Sequence, residues 1–532
     1  MNRNGQLEQL KNNLDPYDIL VIGGGATGLG IAVDAASRGF RTALFEQYDF
    51  AKGTSSRSTK LVHGGVRYLA QGDISLVMNA LKERGRMRKN APHLVDSMRF
   101  IIGNYKWWER AFYTIGLTIY DLLAGTWSLG RSLPLSRRSV NKEIPTIKQH
   151  NLRGGVVYYD GQFDDARMAI SLAQTAVDHG AVCLNYLQVI SLSKDTNGKI
   201  NGVCAQDICT GDTFYVKAKC VINATGVFVD DLMTMDIPTS QKKVRPSQGV
   251  HLVVDKKFLP GTSALMIPKT YDGRVLFGVP WHGKVVLGTT DTPLDTATLE
   301  PQALEQEIDF ILDQAGQYLE NKPTRADVLS VFAGLRPLAA PSHAGKEKTK
   351  EISRSHKIYI SASELLTITG GKWTTYREMA EDIVDKGIKL KGLEDRPCIT
   401  ADLKLHGYAE QVDRSTWDYV YGSDIASIRN LIATEPSLGE LLHPQYTFTK
   451  ATIVWAVRQE MALTVEDILA RRVRLLFLDA RAAMEIAPLV ASLMAEELGK
   501  DLLWQEKQIE DFFAIARNYT LDPTAFQTEN IR

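Results

Sequence analysis

The chain has 532 residues, 44% hydrophobic and 23% charged, and this length predicts two or three domains rather than one. Its 62 Lys and Arg residues balance 62 Asp and Glu residues, so the bulk charge gives no reason to expect nucleic acid as a partner. The five cysteines lack metal-ligand spacing, which predicts neither a metal site nor a disulfide framework and favours a reducing compartment. The polar residues 1–16 do not resemble a signal peptide, and no stretch is a clear transmembrane helix.

The first pattern along the chain, over residues 17–47, is strand, glycine-rich turn, helix and strand. Gly23, Gly25 and Gly28 fit the spacing G-x-G-x-x-G, which allows a tight turn, the approach of a pyrophosphate and close packing of helix on strand. Glu46 ends the second strand about 20 residues further on, where a carboxylate can bind ribose hydroxyls. The pattern predicts a Rossmann-type dinucleotide site but does not choose between NAD and FAD.

Later segments predict a second, antiparallel sheet and a helical C-terminal part. A helix is expected at 167–179, and strands are expected at 182–192, 200–207, 213–217, 220–226, 251–254, 274–277, 285–288 and 357–361. Residues 346–357 read as a polar loop, and a helix begins near Thr375. From about residue 400 the chain becomes helical, with one helix predicted from Thr464 through Phe477.

The choice between NAD and FAD depends on the next segment, residues 53–69, GTSSRSTKLVHGGVRYL. They resemble the pattern T-S-S-x-S-[ST]-K-L-[IV]-H-G-G-x-R-Y-L of the FAD-dependent glycerol-3-phosphate dehydrogenases, within the flavoprotein superfamily that includes glycine oxidase and D-amino-acid oxidase. Further segments similar to that family follow in order, at 164–167, 222–226, 288–291, 334–338 and 370–377. The resemblance is strong over residues 15 to 390 and looser over the helical tail.

The resemblance implies an α/β fold with three domains. They are a Rossmann-type FAD-binding domain from 15–100, 150–240 and 355–395, an antiparallel-sheet substrate domain from 101–149 and 241–354, and a C-terminal helical domain over 400–532. It also implies FAD as the cofactor. The residues expected to bind it are Gly23, Gly25, Gly28, Glu46, Ser58, Thr59, Lys60, Leu61, His63, Val189, Ala224, Thr225, Gly226, Gly371, Thr374 and Thr375.

The reaction implied by the resemblance is oxidation of sn-glycerol 3-phosphate to dihydroxyacetone phosphate by hydride transfer to flavin N5. Such a site must bind a dianion, take the hydroxyl proton and stabilise negative charge on the reduced flavin. The catalytic residues implied are His251, Arg336, Lys372 and Arg67, and the substrate ligands are Arg336, Arg354, Lys372, Arg67 and Tyr68. Among these, arginine suits phosphate because its planar fork binds two oxygens. His251 is the candidate base, and His63, expected to orient the cofactor loop, is the next one.

The resemblance further implies that electrons pass to a respiratory quinone, at the inner, cytoplasmic face of the cell membrane. Residues 105–120 suit a helix lying on that surface, because aromatic and basic residues flank an apolar body; the alternative is a buried helix. A homodimer is also among the expected assemblies. The alternative acceptor is oxygen, as in a glycerol-3-phosphate oxidase. Two further hypotheses are an oxidase of the same fold that acts on an amine or amino acid, and a non-catalytic protein that binds flavin or a membrane.

Overall fold

A computed structural model of the chain describes residues 1–69, 72–339 and 356–521, apart from the side chains of Arg67, Tyr68 and Trp417. In chain order the strands are β1 Tyr17–Ile22, β2 Thr42–Phe45, β3 Leu61–Val62, β4 Val95–Asn104, β5 Leu133–Leu135, β6 Gly154–Phe163, β7 Val182–Leu184, β8 Leu187–Lys194, β9 Ile200–Asp207, β10 Thr213–Asn223, β11 Val244–Asp255, β12 Ala264–Ile267, β13 Leu276–Trp281, β14 Lys284–Gly288, β15 Thr292–Pro293, β16 Val328–Ala339, β17 Lys357–Ile360, β18 Leu366–Thr369, β19 Leu441–His443 and β20 Tyr446–Thr449. The α-helices are α1 Arg3–Asn12, α2 Ala26–Ser37, α3 Val66–Leu69, α4 Ile74–Asn90, α5 Glu109–Ala124, α6 Arg137–Glu143, α7 Asp165–Asp178, α8 Val229–Asp236, α9 Glu305–Tyr318, α10 Tyr376–Lys391, α11 Ile425–Thr434, α12 Lys450–Glu460, α13 Leu475–Leu478, α14 Ala480–Leu498 and α15 Leu502–Ala516.

The first sheet contains the predicted dinucleotide fold. Strands β18, β10, β1, β2 and β7 are neighbours in that order and pair in parallel, and β17 adds an antiparallel edge on β18. Ile19 and Val21 of β1 pack in the cluster that contains α2, α7 and α10, whereas Leu20 and Ile22 pack on the opposite face. Because both faces are covered, β1 is a continuous apolar run, as parallel strands usually are. The Rossmann-type prediction is confirmed.

One strand of this sheet differs from the prediction. Residues 213–217 and 220–226 were expected to be two strands, but β10 is continuous. Its first half, Thr213–Lys217, pairs antiparallel with β9, and its second half pairs in parallel with β1. Because β10 pairs first with β9 and then with β1, the strand continues without interruption. The sequence pattern alone does not reveal this change of pairing partner.

The second sheet has the order β15, β11, β14, β13, β12, β4, β6 and β3, with β16 paired to β11 and β5 to β6. Its pairings are antiparallel, as predicted, except between β12 and β4, which run in parallel. Strands β3 and β6, and β4 up to residue 100, join this sheet although they come from segments expected to belong to the FAD-binding domain. Segments of the two sheets therefore alternate along the chain more often than the predicted domain bounds imply.

The C-terminal part is helical, as predicted, with a two-stranded sheet of β19 and β20. The single helix expected from Thr464 to Phe477 is wrong. A π-helix spans Asp467–Arg472, Arg474 has a left-handed backbone with φ 65°, and α13 follows. The apolar core of this part packs on Phe332 and Trp281 of the second sheet.

Helix α5 carries its apolar side chains on the outside. Phe112, Ile115 and Leu122 are 60%, 62% and 74% exposed, while Leu117 and Tyr120 face the protein. Helix α5 is therefore a surface helix and not the buried helix that was the alternative. No helix within the described ranges is both long enough and apolar enough to cross a bilayer.

Candidate active site

A cleft of about 670 Å³ runs from the glycine turn after β1 to the face of the second sheet. Most of the residues predicted for the site line it. They are Gly23, Gly25, Glu46, Ser58, Thr59, Leu61, His63, Val189, Ala224, Thr225, Gly226, His251, Arg336, Gly371, Lys372 and Thr374. The topology brings together residues that are as much as 351 positions apart, from Gly23 to Thr374, in one cavity.

Some predicted residues lie elsewhere. Gly28, Lys60 and Thr375 are not among the residues that line the cleft. The side chains of Arg67 and Tyr68, and all of Arg354, lie outside the described residues. Gly28 has a packing role, because a Cβ on it would lie 1.9 Å from the carbonyl oxygen of Gly23. Lys60 is wholly buried beneath the loop that carries Ser58 and Thr59.

The glycine turn fits a dinucleotide. Gly23 has φ 109°, and a Cβ on it would lie 2.7 Å from the Ala224 carbonyl oxygen, so a side chain is excluded. Glu46 accepts hydrogen bonds from the backbone N–H groups of Gly24 (2.6 Å) and Tyr48 (2.9 Å), which hold its carboxylate at the end of β2. Burial raises the pKa of Glu46, against the lowering effect of these two donors. The carboxylate can still accept hydrogen bonds from ribose hydroxyls, and the N–H groups at the nearby N-terminus of α2 can donate to a pyrophosphate.

Two further residues shape the cleft beside the turn. Ser55 Oγ accepts a hydrogen bond from Ala26 N at 2.9 Å, at the first residue of α2. Trp373 donates from its indole nitrogen to the Ser55 carbonyl oxygen at 2.8 Å and meets Phe163 edge to face. Both residues lie inside segments quoted for the resemblance, so the motif was the signal that could have found them. Lys52 also lines the cleft, and the sequence contains no motif that singles it out.

His251 lies on β11, in the wall of the cleft. Its Nε2 is 2.9 Å from Thr59 Oγ1, its ring stacks on Phe332 with centroids 4.9 Å apart, and its Nδ1 is buried with no hydrogen-bond partner among the described residues. Burial lowers the pKa of His251 well below its ordinary value, and the positive charges of Lys60 and Arg336 lower it further. The imidazole is therefore neutral at physiological pH and able to accept a proton.

Arg336 lies on β16 opposite Ser247 of β11, four residues along that strand from His251. Its Nη1 donates to the Gln248 carbonyl oxygen (3.3 Å) and to Asp291 (3.4 Å). Its Nη2 donates to Thr289 Oγ1 (3.2 Å) and to the Thr290 carbonyl oxygen (3.1 Å). Gly249 leaves room for this guanidinium, because a Cβ there would lie 2.4 Å from Nη2. A cation held in this way at the cavity wall can bind an anionic substrate group.

The family models that match this chain cover most of it. A model described as FAD dependent oxidoreductase matches residues 18–377, and one described as the C-terminal domain of alpha-glycerophosphate oxidase matches residues 363–508.

Similar proteins carry a consistent set of names. A mitochondrial glycerol-3-phosphate dehydrogenase of Homo sapiens is 40% identical over 96% of this chain and 74% of its own length. One of Arabidopsis thaliana is 41% identical over 93% of the chain and 85% of its own length. A solved glycerol-3-phosphate dehydrogenase from Bacillus halodurans, complexed with FAD, superposes with a TM-score of 0.79 at 31% identity and covers 99% of both chains.

Proposed function

The chain belongs to the family of FAD-dependent glycerol-3-phosphate dehydrogenases, and from this premise we propose that it oxidises sn-glycerol 3-phosphate to dihydroxyacetone phosphate and passes the electrons to a respiratory quinone. It is an FAD-dependent oxidoreductase, and FAD is its cofactor. The observation that carries the proposal is that His251 and Arg336 line the same cleft as the glycine turn and Glu46. A base, an anion ligand and a dinucleotide site thus share one cavity.

FAD, when bound, supplies the hydride acceptor, flavin N5. We propose that Nε2 of His251 takes the proton of the substrate hydroxyl, because Nδ1 is buried. The tautomer that accepts at Nε2 carries its own proton on Nδ1, and without substrate Nε2 accepts a hydrogen bond from Thr59 Oγ1. Because Nε2 has a single lone pair, we propose that the substrate hydroxyl replaces Thr59 Oγ1 as the donor before its proton is transferred. Proton removal raises electron density on the carbon that loses hydride, which is why a neutral base at this place assists the reaction.

Arg336 and Lys372 are the proposed ligands of the substrate phosphate among the described side chains, since both are cations at the wall of the cleft. Arg67, Tyr68 and Arg354 stay predictions from the resemblance. Lys372 also precedes the short helix Trp373–Thr375 and α10, whose N-terminal N–H groups favour negative charge nearby.

For the acceptor, the exposed apolar face of α5 supports a quinone dissolved in a membrane. Trp107, 81% exposed, precedes this helix, and the exposed Lys106 and Arg110 flank the face with positive charge. Apolar side chains that stay in water are unfavourable, and a basic, amphipathic surface is typical of a helix that lies on anionic lipid. We therefore propose peripheral binding at the cytoplasmic face of the cell membrane. A homodimer stays a prediction.

The decisive experiment is anaerobic stopped-flow spectroscopy of the FAD-loaded protein. Glycerol 3-phosphate should bleach the flavin spectrum, and a quinone analogue should restore it faster than oxygen does. Absence of bleaching would contradict the substrate. Faster recovery with oxygen would instead make the protein a glycerol-3-phosphate oxidase.

Membrane binding has its own test, flotation with vesicles that contain anionic lipid. The double variant Phe112→Ser and Ile115→Ser should lose binding and keep bleaching by glycerol 3-phosphate. Leu502→Ser with Leu503→Ser is the matched control, because these leucines are 74% and 73% exposed on a different helix. Equal binding by the α5 variant and the control would contradict the proposed surface.

A further inference from the structure

The C-terminal part of the chain reaches under the loop that carries Ser58 and Thr59. Arg474, 2% exposed, occupies the break between the π-helix and α13. Its Nη2 donates to the Ser56 carbonyl oxygen at 2.9 Å and to Asp165 Oδ1 at 2.8 Å. A residue of the C-terminal domain thus holds both the loop and the first residue of α7.

Asp165 binds the same loop at three more points. Its Oδ2 accepts hydrogen bonds from Ser58 N (3.0 Å), Ser58 Oγ (2.7 Å) and Lys60 Nζ (2.7 Å). Lys60 Nζ also donates to the Ser56 carbonyl oxygen at 2.7 Å. Lys60 has φ 63°, a left-handed conformation that costs about 1–2 kcal/mol for a residue with a side chain. The ion cluster of Lys60, Asp165 and Arg474 offsets that cost.

This cluster adjoins the two residues that contact His251, Thr59 and Phe332. Thr59, whose Oγ1 is 2.9 Å from His251 Nε2, stands inside the loop that the cluster holds. Lys60 Nζ lies 5.1 Å from the centroid of Phe332, the ring on which His251 stacks. The hydrogen bond of His251 therefore depends on where the loop is held, and Lys60 also contacts the ring on which His251 stacks.

We propose that Lys60 and Arg474 are positioning residues for the reaction: Arg474 of the C-terminal domain, through Asp165 and Lys60, fixes the loop that orients His251 and presents a buried positive charge to its ring. This inference rests on the proposed role of His251 as the base. It assigns the C-terminal domain a part in the chemistry, although none of its residues from α11 onward lines the cleft in the described part of the chain.

The charges around the two groups agree with this role. The charged groups that face His251 are Lys60 and Arg336, and both lower its pKa after burial has done so. Lys60 in turn faces Asp165, Arg474 and Asp164. The pKa of Lys60 is lowered to about 7. Burial is the largest cause and Arg474 acts in the same direction, whereas the two aspartates act to raise the pKa. On the acid side of neutrality Lys60 is charged, so it opposes protonation of His251 where protonation would stop the reaction.

The test uses Lys60→Met and Arg474→Lys in the full FAD-loaded chain. Arg167→Met is the matched control, because Arg167 lies on α7, as Asp165 does, and makes a buried pair with Glu460 of the C-terminal domain (2.7 and 2.8 Å), whereas no described hydrogen bond or ion pair joins its side chain to residues 56–60. Three quantities are measured: the anaerobic rate of flavin reduction from pH 5 to 8, the thermal midpoint, and the titration of His251 in protein labelled with ¹⁵N-histidine.

We expect Lys60→Met to raise the pKa of His251 by about one unit or more, since a neighbouring charge shifts a pKa by about that amount. Its reduction rate should then fall more steeply toward pH 5 than that of the wild type. Arg474→Lys keeps the charge but loses the fork, so reduction should slow about tenfold or more at every pH while FAD content stays near wild type. The control should lower the thermal midpoint and leave both profiles unchanged.

The proposal is overturned if Lys60→Met titrates and reacts like the control, or if Arg474→Lys slows reduction no more than the control does. If Lys60→Met does not fold, Arg474→Lys decides by the same comparison. His251→Gln separates this proposal from the proposed function. An unchanged rate in that variant would remove His251 as the base, whereas a slowed His251→Gln with unaffected Lys60 and Arg474 variants would refute only the positioning role.

Discussion

Arg336 and Asp291 form an ion pair at the wall of the cleft, with Nη1 3.4 Å from Oδ1. The hydrogen bonds of the guanidinium to Gln248, Thr289 and Thr290 are 3.1–3.3 Å long, near the upper limit for N–H donors. Asp291 also accepts a hydrogen bond from Ser247 Oγ, which fixes the carboxylate. Contacts this long are weak, so Arg336 is oriented by its neighbours and can still exchange them for a phosphate.

Arg336→Ala should therefore weaken the use of glycerol 3-phosphate far more than it lowers FAD content. Loss of a charge-assisted contact costs about 1.5–3 kcal/mol, or about 10–150-fold in binding. Arg336→Lys should rescue only in part, because an ammonium cannot replace the planar fork. The measurement is the dependence of flavin reduction on substrate concentration, with FAD absorbance as the control. Wild-type kinetics in the alanine variant would mean that the phosphate binds elsewhere.

His251→Gln should slow flavin reduction by about 10²–10⁴, the usual contribution of a general base. Because burial, Lys60 and Arg336 hold the pKa of His251 well below its ordinary value, the wild-type rate should stay level through pH 6.5 and fall only in more acid solution. Anaerobic single-turnover rates against pH measure both effects.

Glutamine is a suitable replacement because it keeps a polar group near Thr59, and FAD content and substrate binding should change little. If the variant reduces its flavin as fast as the wild type, with the same acid limb, His251 has a structural role. His63, which also lines the cleft, is then the base to replace next.

Gly25→Val should abolish FAD binding. A Cβ on Gly25 would lie 3.1 Å from Ser55 Oγ, and the added methyl groups would extend into the cleft where the pyrophosphate is expected. The flavin-to-protein absorbance ratio of the purified variant measures the effect, and circular dichroism checks that it is folded. Full FAD occupancy in a folded variant would contradict the assignment of this turn.

The sequence could predict the parts of this molecule that local pattern determines. The apolar run of β1, the glycine spacing and Glu46 each follow from a single segment, and so their places in the cleft were predictable. The motifs also identified His251 and Arg336, although the pairing of β11 with β16 that brings them together is a long-range contact.

Other features depend on contacts between segments that are distant in the chain, and these could not be predicted from the local sequence pattern. Lys60 was expected at the cofactor, but Asp165, 105 positions later, draws its ammonium group beneath the loop. Likewise the helix expected through Phe477 breaks at Arg474, because the left-handed residue there turns its guanidinium toward Asp165 and Ser56. Neither partner is visible from helical periodicity.

His406 links the C-terminal part of the chain to α7. His406 bridges two carboxylates, with Nδ1 2.7 Å from Asp178 at the end of α7 and Nε2 3.1 Å from Asp424 before α11. Burial acts to lower the pKa of His406, but the hydrogen bonds and charges of the two aspartates outweigh it and raise the pKa to about 9. The folded protein therefore binds a proton on this residue that the unfolded chain releases near the ordinary pKa of about 6.5.

The sign of the effect follows from that difference. The stabilisation by His406 is complete below about pH 6.5 and is lost as the pH rises through about 9. Since Asp178 is about half exposed, solvent screens the pair, and we expect about 1–2 kcal/mol rather than the full value of the shift. His406→Asn should thus lower the thermal midpoint at pH 6.5 and approach the wild type at pH 9.5, measured at one scan rate. Asp178→Asn, which removes one of the two partners, should show a smaller change in the same direction. A midpoint difference between His406→Asn and wild type that is equal at both pH values would show that the bridge contributes only packing.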